Sequence, residues 1–253
     1  MNMEVLYRNI CKWLEREVAA AGGKGCVFGL SGGVDSAVVA VLCKTVFPED
    51  SLGLIMPCHS PRQDREDALA VAEKFKITTR VIELDAVYDR FLLALGGGDL
   101  PAKDLAAANI KPRLRMNALY YFAARHHYRV IGTGNKSEIS IGYFTKYGDG
   151  GVDLEPIGDL LKEDVYRLAR HLDIPERILQ KKPSGGLWDE QYDESEMGFT
   201  YGELDRYLKG GLVDEAVANK IRIMIQKSMH KRKMPPIYTA ECLNSNMPFP
   251  FPN

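Results

Sequence analysis

The segment at residues 30–37 reads Leu-Ser-Gly-Gly-Val-Asp-Ser-Ala, and these residue types suit the binding of a phosphate group. Gly32 and Gly33 let the backbone approach an anion closely, while Ser31 and Ser36 add hydroxyl donors. A helix that follows such a turn points its free N–H groups at the same place. A tight turn with a serine at the helix N-cap accounts for the Gly-Gly pair equally well. The segment is therefore a candidate phosphate site with a purely structural alternative.

Asp35 in this segment favours the phosphate interpretation. A carboxylate beside a bound phosphate repels it unless a divalent cation lies between them, and Mg²⁺ is bound in this way by carboxylates and phosphate oxygens. The segment matches neither Gly-x-x-x-x-Gly-Lys-Ser/Thr nor Gly-x-Gly-x-x-Gly, so it is neither a Walker A loop nor a dinucleotide fingerprint. It predicts a magnesium and phosphate site of another type.

Four short apolar runs, separated by helical patterns, are typical of buried parallel strands. They lie at residues 26–30, 52–56, 80–84 and 129–132. Helical periodicity occupies residues 37–46, 87–95, 113–127, 162–172, 201–209 and 213–229. Ser60 at the N-cap, Pro61 at the first helical position and Gln63 two residues later predict a capping box for one more helix after the second strand.

The alternation of strands and helices predicts an α/β fold, a doubly wound parallel sheet flanked by helices. Ligands of such sheets bind beyond the carboxyl ends of the strands, where the candidate phosphate segment lies. The stretch at 181–198 is long and irregular, which is uncommon inside a compact domain, so it is a candidate functional loop. No linker is evident, and we expect residues 1–253 to form a single domain.

The composition argues against several classes of protein. The 33 lysines and arginines against 34 acidic residues give a net charge of -1, which offers no general attraction to nucleic acid or to an anionic membrane. Charged residues interrupt the apolar N-terminal segment, so it is neither a signal peptide nor a membrane span. The five cysteines contain no Cys-x-x-Cys pair and suit free thiols. We expect a cytoplasmic protein with no nucleic-acid or membrane partner.

The Ser-Gly-Gly-x-Asp-Ser pattern resembles the pyrophosphate loop of the N-type ATP pyrophosphatases. The resemblance implies the adenine nucleotide alpha hydrolase-like fold and cleavage of ATP between its α and β phosphates to adenylate a substrate. On this loop alone, the chain could be an NAD synthetase, a GMP synthetase, a tRNA-modifying ligase or a related amidating enzyme.

Motifs in the second half of the chain distinguish these families. They read GTGNKSE from residue 132, GYFTKYGDGGVD from 142, EPIGDLLK from 155, PSGGLW from 183, DESEMGFTY from 193 and HKRKMPP from 230. This ordered series closely resembles the NAD synthetase family across nearly all of residues 1–245. The resemblance implies the last step of NAD biosynthesis, in which ATP and ammonia convert deamido-NAD to NAD through an adenylated intermediate, releasing AMP and pyrophosphate. It also implies Mg²⁺ as cofactor and a homodimer.

The resemblance assigns site residues position by position. The ATP-binding positions are Gly29, Leu30, Ser31, Gly32, Gly33, Val34, Asp35, Ser36, Thr133, Lys162 and Ser184. The deamido-NAD contacts are Arg113, Lys146, Asp153, His230 and Lys231, with the role of Arg115 left open. Asp35 and Glu138 are the magnesium ligands. Considered without the family, Glu138, Lys162 and the basic run at 230–233 would be interpreted as ordinary solvated residues.

The implied reaction needs no protein nucleophile. The substrate carboxylate is already ionised at neutral pH, so the first step needs alignment and charge neutralisation, by Mg²⁺ on Asp35 and Glu138 with assistance from Lys162. The second step needs removal of a proton from ammonium, and Asp149 is the predicted carboxylate for it. We expect no glutaminase domain. Two alternatives remain at this point: another adenylating ligase with the same loop, such as a tRNA-modifying enzyme, and a non-catalytic ATP-binding sensor.

Overall fold

A parallel sheet of four strands forms the centre of the computed structural model, which describes residues 2–97, 103–188 and 190–238. The strands are β1 (Gly25–Gly29), β2 (Ser51–Ile55), β3 (Thr79–Val81) and β4 (Tyr128–Ile131). Their order is β3-β2-β1-β4, with every neighbouring pair parallel. The order reverses beside β1, so a crevice opens at the carboxyl ends of β1 and β4. The predicted parallel sheet is confirmed.

Helices precede, separate and follow these strands. In the part of the chain that the structure describes, they are α1 (Met3–Ala20), α2 (Val34–Val46), α3 (Arg62–Lys74), α4 (Asp85–Ala94), α5 (Leu105–Ala108), α6 (Ile110–His126), α7 (Lys136–Ile141), α8 (Lys162–His171), α9 (Glu176–Leu179), α10 (Asp193–Met197), α11 (Tyr201–Leu208) and α12 (Glu215–Lys227). One turn of 3-10 helix, Met229–Lys231, follows α12.

Helices cover both faces of the sheet. On one face, α1, α2 and α8 pack together over Phe28 of β1, which is fully buried. On the other face, α4 and α6 pack over Val27 of β1 and Leu54 of β2. Adjacent residues of β1 thus enter two different apolar layers, which explains why its sequence is continuously apolar rather than alternating. The predicted doubly wound α/β architecture is confirmed.

A third apolar cluster lies beyond the sheet and joins the C-terminal helices to the short helix α7. Its buried members include Ile141, Met197, Leu204 and Ile221. Through this cluster, α11 and α12 contact α7, and α11 also contacts α8. The C-terminal helices α11 and α12 therefore pack against α7 and α8 and hold them in place.

Several helices begin at other residues than predicted: α4 begins at Asp85, α6 at Ile110 and α12 at Glu215, and the starts of α2 and α3 bear on the cleft. α2 begins at Val34, directly after Gly33, so Asp35 lies in its first turn. The capping box predicted before α3 is wrong, because Pro61 takes the N-cap position and no side chain caps the helix. Ser60 lies one residue too early, and its hydroxyl instead accepts the backbone N–H of Cys58.

Two expectations drawn from composition concern membrane segments and thiols. Across the described ranges, no helix combines the length and apolar character needed to cross a bilayer. Cys11, Cys26, Cys43 and Cys58 are free cysteines, and the last three are buried. Cys242 lies outside the described residues.

Candidate active site

The turn between β1 and α2 is closed by its own serines. Ser36 Oγ donates to the backbone oxygen of Gly33 at 2.9 Å and lies 3.0 Å from Ser31 Oγ. Gly32 has a φ of 80°, and a Cβ atom there would lie 2.5 Å from the backbone oxygen of Asp64 in α3. Only glycine fits this position. α2 begins directly after this turn, and the free N–H groups at a helix N-terminus commonly bind anions.

The turn opens into a cleft of about 970 Å³ at the carboxyl ends of the strands. This volume is within the range of pockets that bind small molecules. Of the predicted ATP-binding positions, all except Gly32 line it: Gly29, Leu30, Ser31, Gly33, Val34, Asp35, Ser36, Thr133, Lys162 and Ser184. Residues from the first turn, from the end of β4 and from the irregular stretch after α9 thus meet at one cavity.

A buried lysine joins the two predicted magnesium ligands. Lys162 Nζ lies 2.6 Å from Asp35 Oδ2 and 3.0 Å from Glu138 Oε1. Lys162 is only 3% exposed. Asn135 Nδ2 donates to the other carboxylate oxygen of Asp35 at 2.9 Å. Each charge in this cluster has an opposite charge or a hydrogen-bond donor beside it, which is the condition for keeping ions inside a protein.

Glu138 is oriented by the start of its own helix. Asn135, the N-cap of α7, accepts the backbone N–H of Glu138 at 3.0 Å, and Glu138 Oε2 accepts the backbone N–H of Asn135 at 3.4 Å. This reciprocal capping box occupies one carboxylate oxygen. The other oxygen, Oε1, accepts hydrogen bonds from Lys162 and from the hydroxyl of Tyr201.

Ser137 and Asp205 accept hydrogen bonds from the backbone at the start of α8, the helix that carries Lys162. Neither residue was predicted from the sequence to have a role. Ser137 Oγ accepts the backbone N–H of Lys162 at 3.0 Å and donates to Asp205 Oδ1 at 2.5 Å. Asp205 Oδ2 accepts the backbone N–H of Glu163 at 2.9 Å. Asp205, on α11, thereby supplies a buried acceptor for the first turn of α8. No local sequence pattern links these positions, so only the tertiary contact reveals them.

Burial and neighbouring charges change the pKa values of Glu138 and Lys162. Burial raises the pKa of the Glu138 carboxyl, and the charge of Lys162 opposes that shift. Burial alone would lower the pKa of Lys162, but the charges and hydrogen bonds of Asp35 and Glu138 raise it. The two carboxylates therefore favour the protonated, positively charged form of Lys162.

The oxygen donors of this cluster fit Mg²⁺. Asp35 and Glu138 both line the cleft and offer carboxylate oxygens, the ligand type that Mg²⁺ prefers. Among the described residues, no group of three or more His, Cys, Asp or Glu side chains could hold a metal by itself. Mg²⁺ commonly binds through one or two carboxylates together with substrate phosphates, so a pair of carboxylates such as Asp35 and Glu138 is chemically suited to it.

The two arginines of α6 occupy different environments. Arg113 is exposed and does not line the cleft. Arg115 lines the cleft, donates to the backbone oxygen of Met56 at 3.0 Å and donates to Ser60 Oγ at 3.2 Å. Burial lowers the pKa of the Arg115 guanidinium. Arg115 thus shapes the cleft wall, while Arg113 is available to a ligand or partner outside it.

The remaining predicted dinucleotide contacts are spread around one end of the cleft. Lys231 lines it and donates to the backbone oxygens of Gly142 and Phe144 at 2.7 and 2.6 Å. Lys146 donates to the backbone oxygen of His230 at 2.7 Å, and neither of these two residues lines the cleft. In this chain alone, only Lys231 of the five predicted contacts faces the cavity.

Asp153 and Asp149, both on the glycine-rich segment after α7, differ in surroundings. Asp153 accepts the backbone N–H of Val130 at 2.8 Å and the hydroxyl of Tyr120 at 3.0 Å, and it lies outside the cleft. Asp149 lines the cleft and accepts the backbone N–H of Thr145 at 2.9 Å. The surrounding protein partly desolvates Asp149 and raises the pKa of its carboxyl. Asp149 is therefore the carboxylate of this segment that can meet a substrate in the cleft.

Comparison with known proteins gives a consistent result along the chain. A family model described as NAD synthase matches residues 6–235. The chain is 51% identical to the NH(3)-dependent NAD(+) synthetase of Syntrophomonas wolfei, over 94% of this chain and 96% of that protein. It is 48% identical to the NH(3)-dependent NAD(+) synthetase of Carboxydothermus hydrogenoformans, over 94% and 98%.

Solved structures with the same fold include two kinds of synthetase. The structure of NMN synthetase from Francisella tularensis superposes with a TM-score of 0.89 at 37% identity, covering 94% of this chain and 99% of that one. The NH3-dependent NAD synthetase from Campylobacter jejuni superposes with a TM-score of 0.78 at 30% identity, covering 94% and 100%.

Proposed function

The chain belongs to the NAD synthase family, and we propose that it performs the family's reaction at the cleft beside the glycine turn. It is a ligase that converts deamido-NAD to NAD with ammonia and ATP. The observation that supports this location most directly is the buried cluster of Lys162 with Asp35 and Glu138 next to a turn built for phosphate. Fixed charges at a phosphate site suit the transfer of an adenylyl group.

In the proposed first step, a carboxylate oxygen of deamido-NAD attacks the α phosphorus of ATP. The bond from that phosphorus to the bridging oxygen breaks, and pyrophosphate leaves with the electron pair. The carboxylate needs no general base, because it is ionised already. The N–H groups at the start of α2 and the ammonium of Lys162 align the phosphates and offset their charge, which is the main contribution that positioning and electrostatics can make.

Asp35 and Glu138 are the residues that would hold Mg²⁺. When bound, the ion neutralises phosphate charge at the reacting end of ATP. Asn135 fixes Asp35 through its side-chain amide at 2.9 Å, and the Tyr201 hydroxyl lies 3.1 Å from Glu138 Oε1. These contacts support the proposal because both carboxylates keep a fixed orientation toward the cleft.

In the proposed second step, ammonia attacks the carboxyl carbon of the adenylated substrate, and AMP leaves with the bonding pair. The incoming nitrogen must also lose protons, first from ammonium and then after attack. We assign this proton transfer to Asp149. The assignment is supported by its place in the cleft, where an exposed carboxylate can reach the incoming nitrogen.

The dinucleotide contacts carried by the family resemblance are Arg113, Lys146, Asp153, His230 and Lys231. We propose that they bind the part of deamido-NAD remote from the reacting carboxyl. Several of them lie outside the cleft of one chain, so the proposal includes a homodimer in which a second copy completes the binding surface.

Exposed apolar side chains support such a dimer. Leu93 and Leu95 near the end of α4, Leu105 of α5 and Tyr121 of α6 are 61%, 62%, 57% and 60% exposed. These helices are neighbours, because α4 and α5 both contact α6. Large apolar side chains that are exposed on neighbouring helices are a common feature of protein–protein interfaces.

We further propose that residues 1–253 act as one synthetase domain in the cytoplasm. The family match extends from α1 to the residues after the last 3-10 turn, and both layers of the sheet draw on both halves of the chain. The four cysteines that the structure describes are free, which suits a reducing compartment.

A mononucleotide substrate is a second candidate, favoured by one observation. The Francisella structure with a TM-score of 0.89 is named an NMN synthetase. The same amidation applied to nicotinic acid mononucleotide yields NMN. Both reactions use identical chemistry at the carboxyl group, so the outer contacts rather than the Lys162 cluster would select between the two acceptors.

Exchange of radiolabelled pyrophosphate into ATP tests the proposal and separates its rivals. Exchange that requires deamido-NAD supports the adenylation step, and exchange with nicotinic acid mononucleotide alone would favour the second candidate. Exchange with tRNA alone would indicate a tRNA-modifying ligase. A protein that binds ATP but exchanges with none of these acceptors would behave as a sensor and contradict the proposal.

A further inference from the structure

A chain of side-chain hydrogen bonds begins in the irregular stretch after α9. Gln191 Oε1 accepts the backbone N–H of Leu187 at 2.9 Å, and Gln191 Nε2 donates to Glu196 Oε2 at 2.8 Å. Gln191 is 5% exposed, so water competes little for these bonds. One buried amide thus fastens the loop that contains Ser184 to the helix α10.

Two tyrosines continue this connection to the active site. Tyr143 donates to Glu196 Oε2 at 2.7 Å, and its hydroxyl lies 3.2 Å from Asp193 Oδ1. The Tyr201 hydroxyl lies 2.8 Å from Asp193 Oδ2 and 3.1 Å from Glu138 Oε1. Asp193, which is 4% exposed, therefore bridges the two tyrosines. The six side chains from Gln191 to Glu138 form a series in which each polar atom lies within 3.2 Å of the next side chain, here called the polar chain.

Two hydrogen bonds from backbone N–H groups also connect the loop, α10 and α11. The backbone N–H of Asp193 donates to the oxygen of Pro183 at 3.1 Å, which joins the start of α10 to the residue before Ser184. The backbone N–H of Tyr201 donates to Glu194 Oε1 at 2.8 Å. The short helix α10 is therefore bonded both to the loop and to the start of α11.

We propose that Gln191 and Tyr201 are positioning residues that couple the order of the Ser184 loop to the orientation of the Glu138 carboxylate. The inference rests on the proposed roles of Ser184 in ATP binding and of Glu138 in magnesium binding. Buried polar groups keep their partners because an unsatisfied one is costly, so a displaced loop removes a partner from Glu196 and disturbs the series that ends at Glu138. The coupling is reciprocal, so a change in the orientation of the Glu138 carboxylate also reduces the order of the Ser184 loop.

A purely local role for Tyr201 is the alternative. Its ring lies in the third apolar cluster and is 4.8 Å from Lys162 Nζ, so the ring itself stabilises the fold. Tyr201→Phe keeps the ring and removes only the hydroxyl. Tyr207→Phe is the matched control, because Tyr207 lies on the same helix, packs against the same cluster and is not part of the polar chain.

Fluorescence can report the loop without any substrate. Trp13 and Trp188 are the two tryptophans of the chain, so a Trp13→Phe background leaves Trp188 as a probe of the Ser184 loop. In ligand-free protein, Tyr201→Phe and Gln191→Ala should each increase the quenching of Trp188 by acrylamide, and Tyr207→Phe should not. Unchanged quenching in a Tyr201→Phe protein that melts cooperatively would overturn the coupling.

Kinetics in the native background supply a second measurement that does not depend on the Trp13 substitution. Tyr201→Phe and Gln191→Ala should each lower kcat roughly tenfold, the effect of one lost hydrogen bond to a charged group. The double variant should lose no more than the larger single loss, because both changes break the same series. Multiplied losses would overturn the proposal. A wild-type protein that makes no NAD would refute the proposed function. The quenching experiment would still test the coupling, because it uses ligand-free protein.

Discussion

Lys162 Nζ lies 2.6 Å from Asp35 Oδ2, although 127 positions separate the two residues in the sequence. A lysine in the first turn of a helix opposes the helix dipole, which disfavours positive charge at that end. Here Asp35 and Glu138 meet the ammonium group, and Asp205 supplies negative charge to the same helix end. The unfavourable position is therefore stabilised by three carboxylates from three separate elements, as the role proposed for the lysine at the cleft requires.

Asp35→Asn and Glu138→Gln should each lower the rate of pyrophosphate release by about 10²–10³, because each removes a carboxylate from the proposed magnesium site. Asp173→Asn is the control, since Asp173 is exposed and pairs with Lys74 away from the cleft. The rate of pyrophosphate release with deamido-NAD and saturating Mg²⁺ is the measurement. Near-normal release in both variants would rule out these two residues as metal ligands.

Arg113→Ala should weaken the binding of deamido-NAD far more than that of ATP. Arg113 is exposed, so its loss should leave the melting temperature unchanged, and a guanidinium suits an anionic or carbonyl-bearing ligand. Titration calorimetry with each ligand is the measurement. Arg115→Ala is the comparison. It leaves the backbone oxygen of Met56 without its hydrogen-bond donor and should lower the free energy of unfolding by about 1–3 kcal/mol. Equal weakening of both ligands by Arg113→Ala would contradict the assignment.

Glu155→Gln should change how stability depends on pH. Glu155 Oε2 accepts the backbone N–H of Gly134 at 3.0 Å, and burial raises the pKa of this carboxyl from 4.5 to about 8. Between these values the folded protein holds a proton that the unfolded chain releases, so the stability contribution of Glu155 falls as pH rises. The fall is at most about 1.4 kcal/mol per pH unit for one proton.

The glutamine variant cannot titrate, yet its amide oxygen can still accept from Gly134. Urea unfolding at pH 5, 6, 7 and 8 should therefore show Glu155→Gln gaining stability relative to the wild type as pH increases. The exposed Glu49→Gln is the control. Parallel curves for the wild type and Glu155→Gln would show that this carboxyl is not held protonated.

Free ammonia, rather than glutamine, should drive NAD formation. The relatives that match most of the chain are named NH(3)-dependent synthetases, and at subsaturating total ammonium the rate should rise with pH through the mildly alkaline range as the unprotonated fraction grows. NAD formation by an ammonia-free preparation, supplied with either nitrogen donor, is the measurement. Robust turnover with glutamine alone would falsify the ammonia dependence.

The parts of the protein that could be predicted from its sequence are those set by short segments. The turn at Gly32 and Gly33 needs its glycines for local steric reasons, and the apolar runs of the strands follow from burial on both faces. The family motifs likewise identified Asp35, Glu138 and Lys162, and the structure brings these three side chains together.

Contacts between distant elements were decided only by the tertiary structure. Nothing near Ser137 in the sequence indicates Asp205, and nothing near Glu138 indicates Tyr201, because each pair meets only when α7 and α11 pack together. Likewise, Arg113 and Arg115 share one motif, but a separation of two positions turns them to different sides of α6, so only one enters the cleft. Sequence spacing specifies which residues share a local element, whereas the packing of those elements decides which side chains become partners.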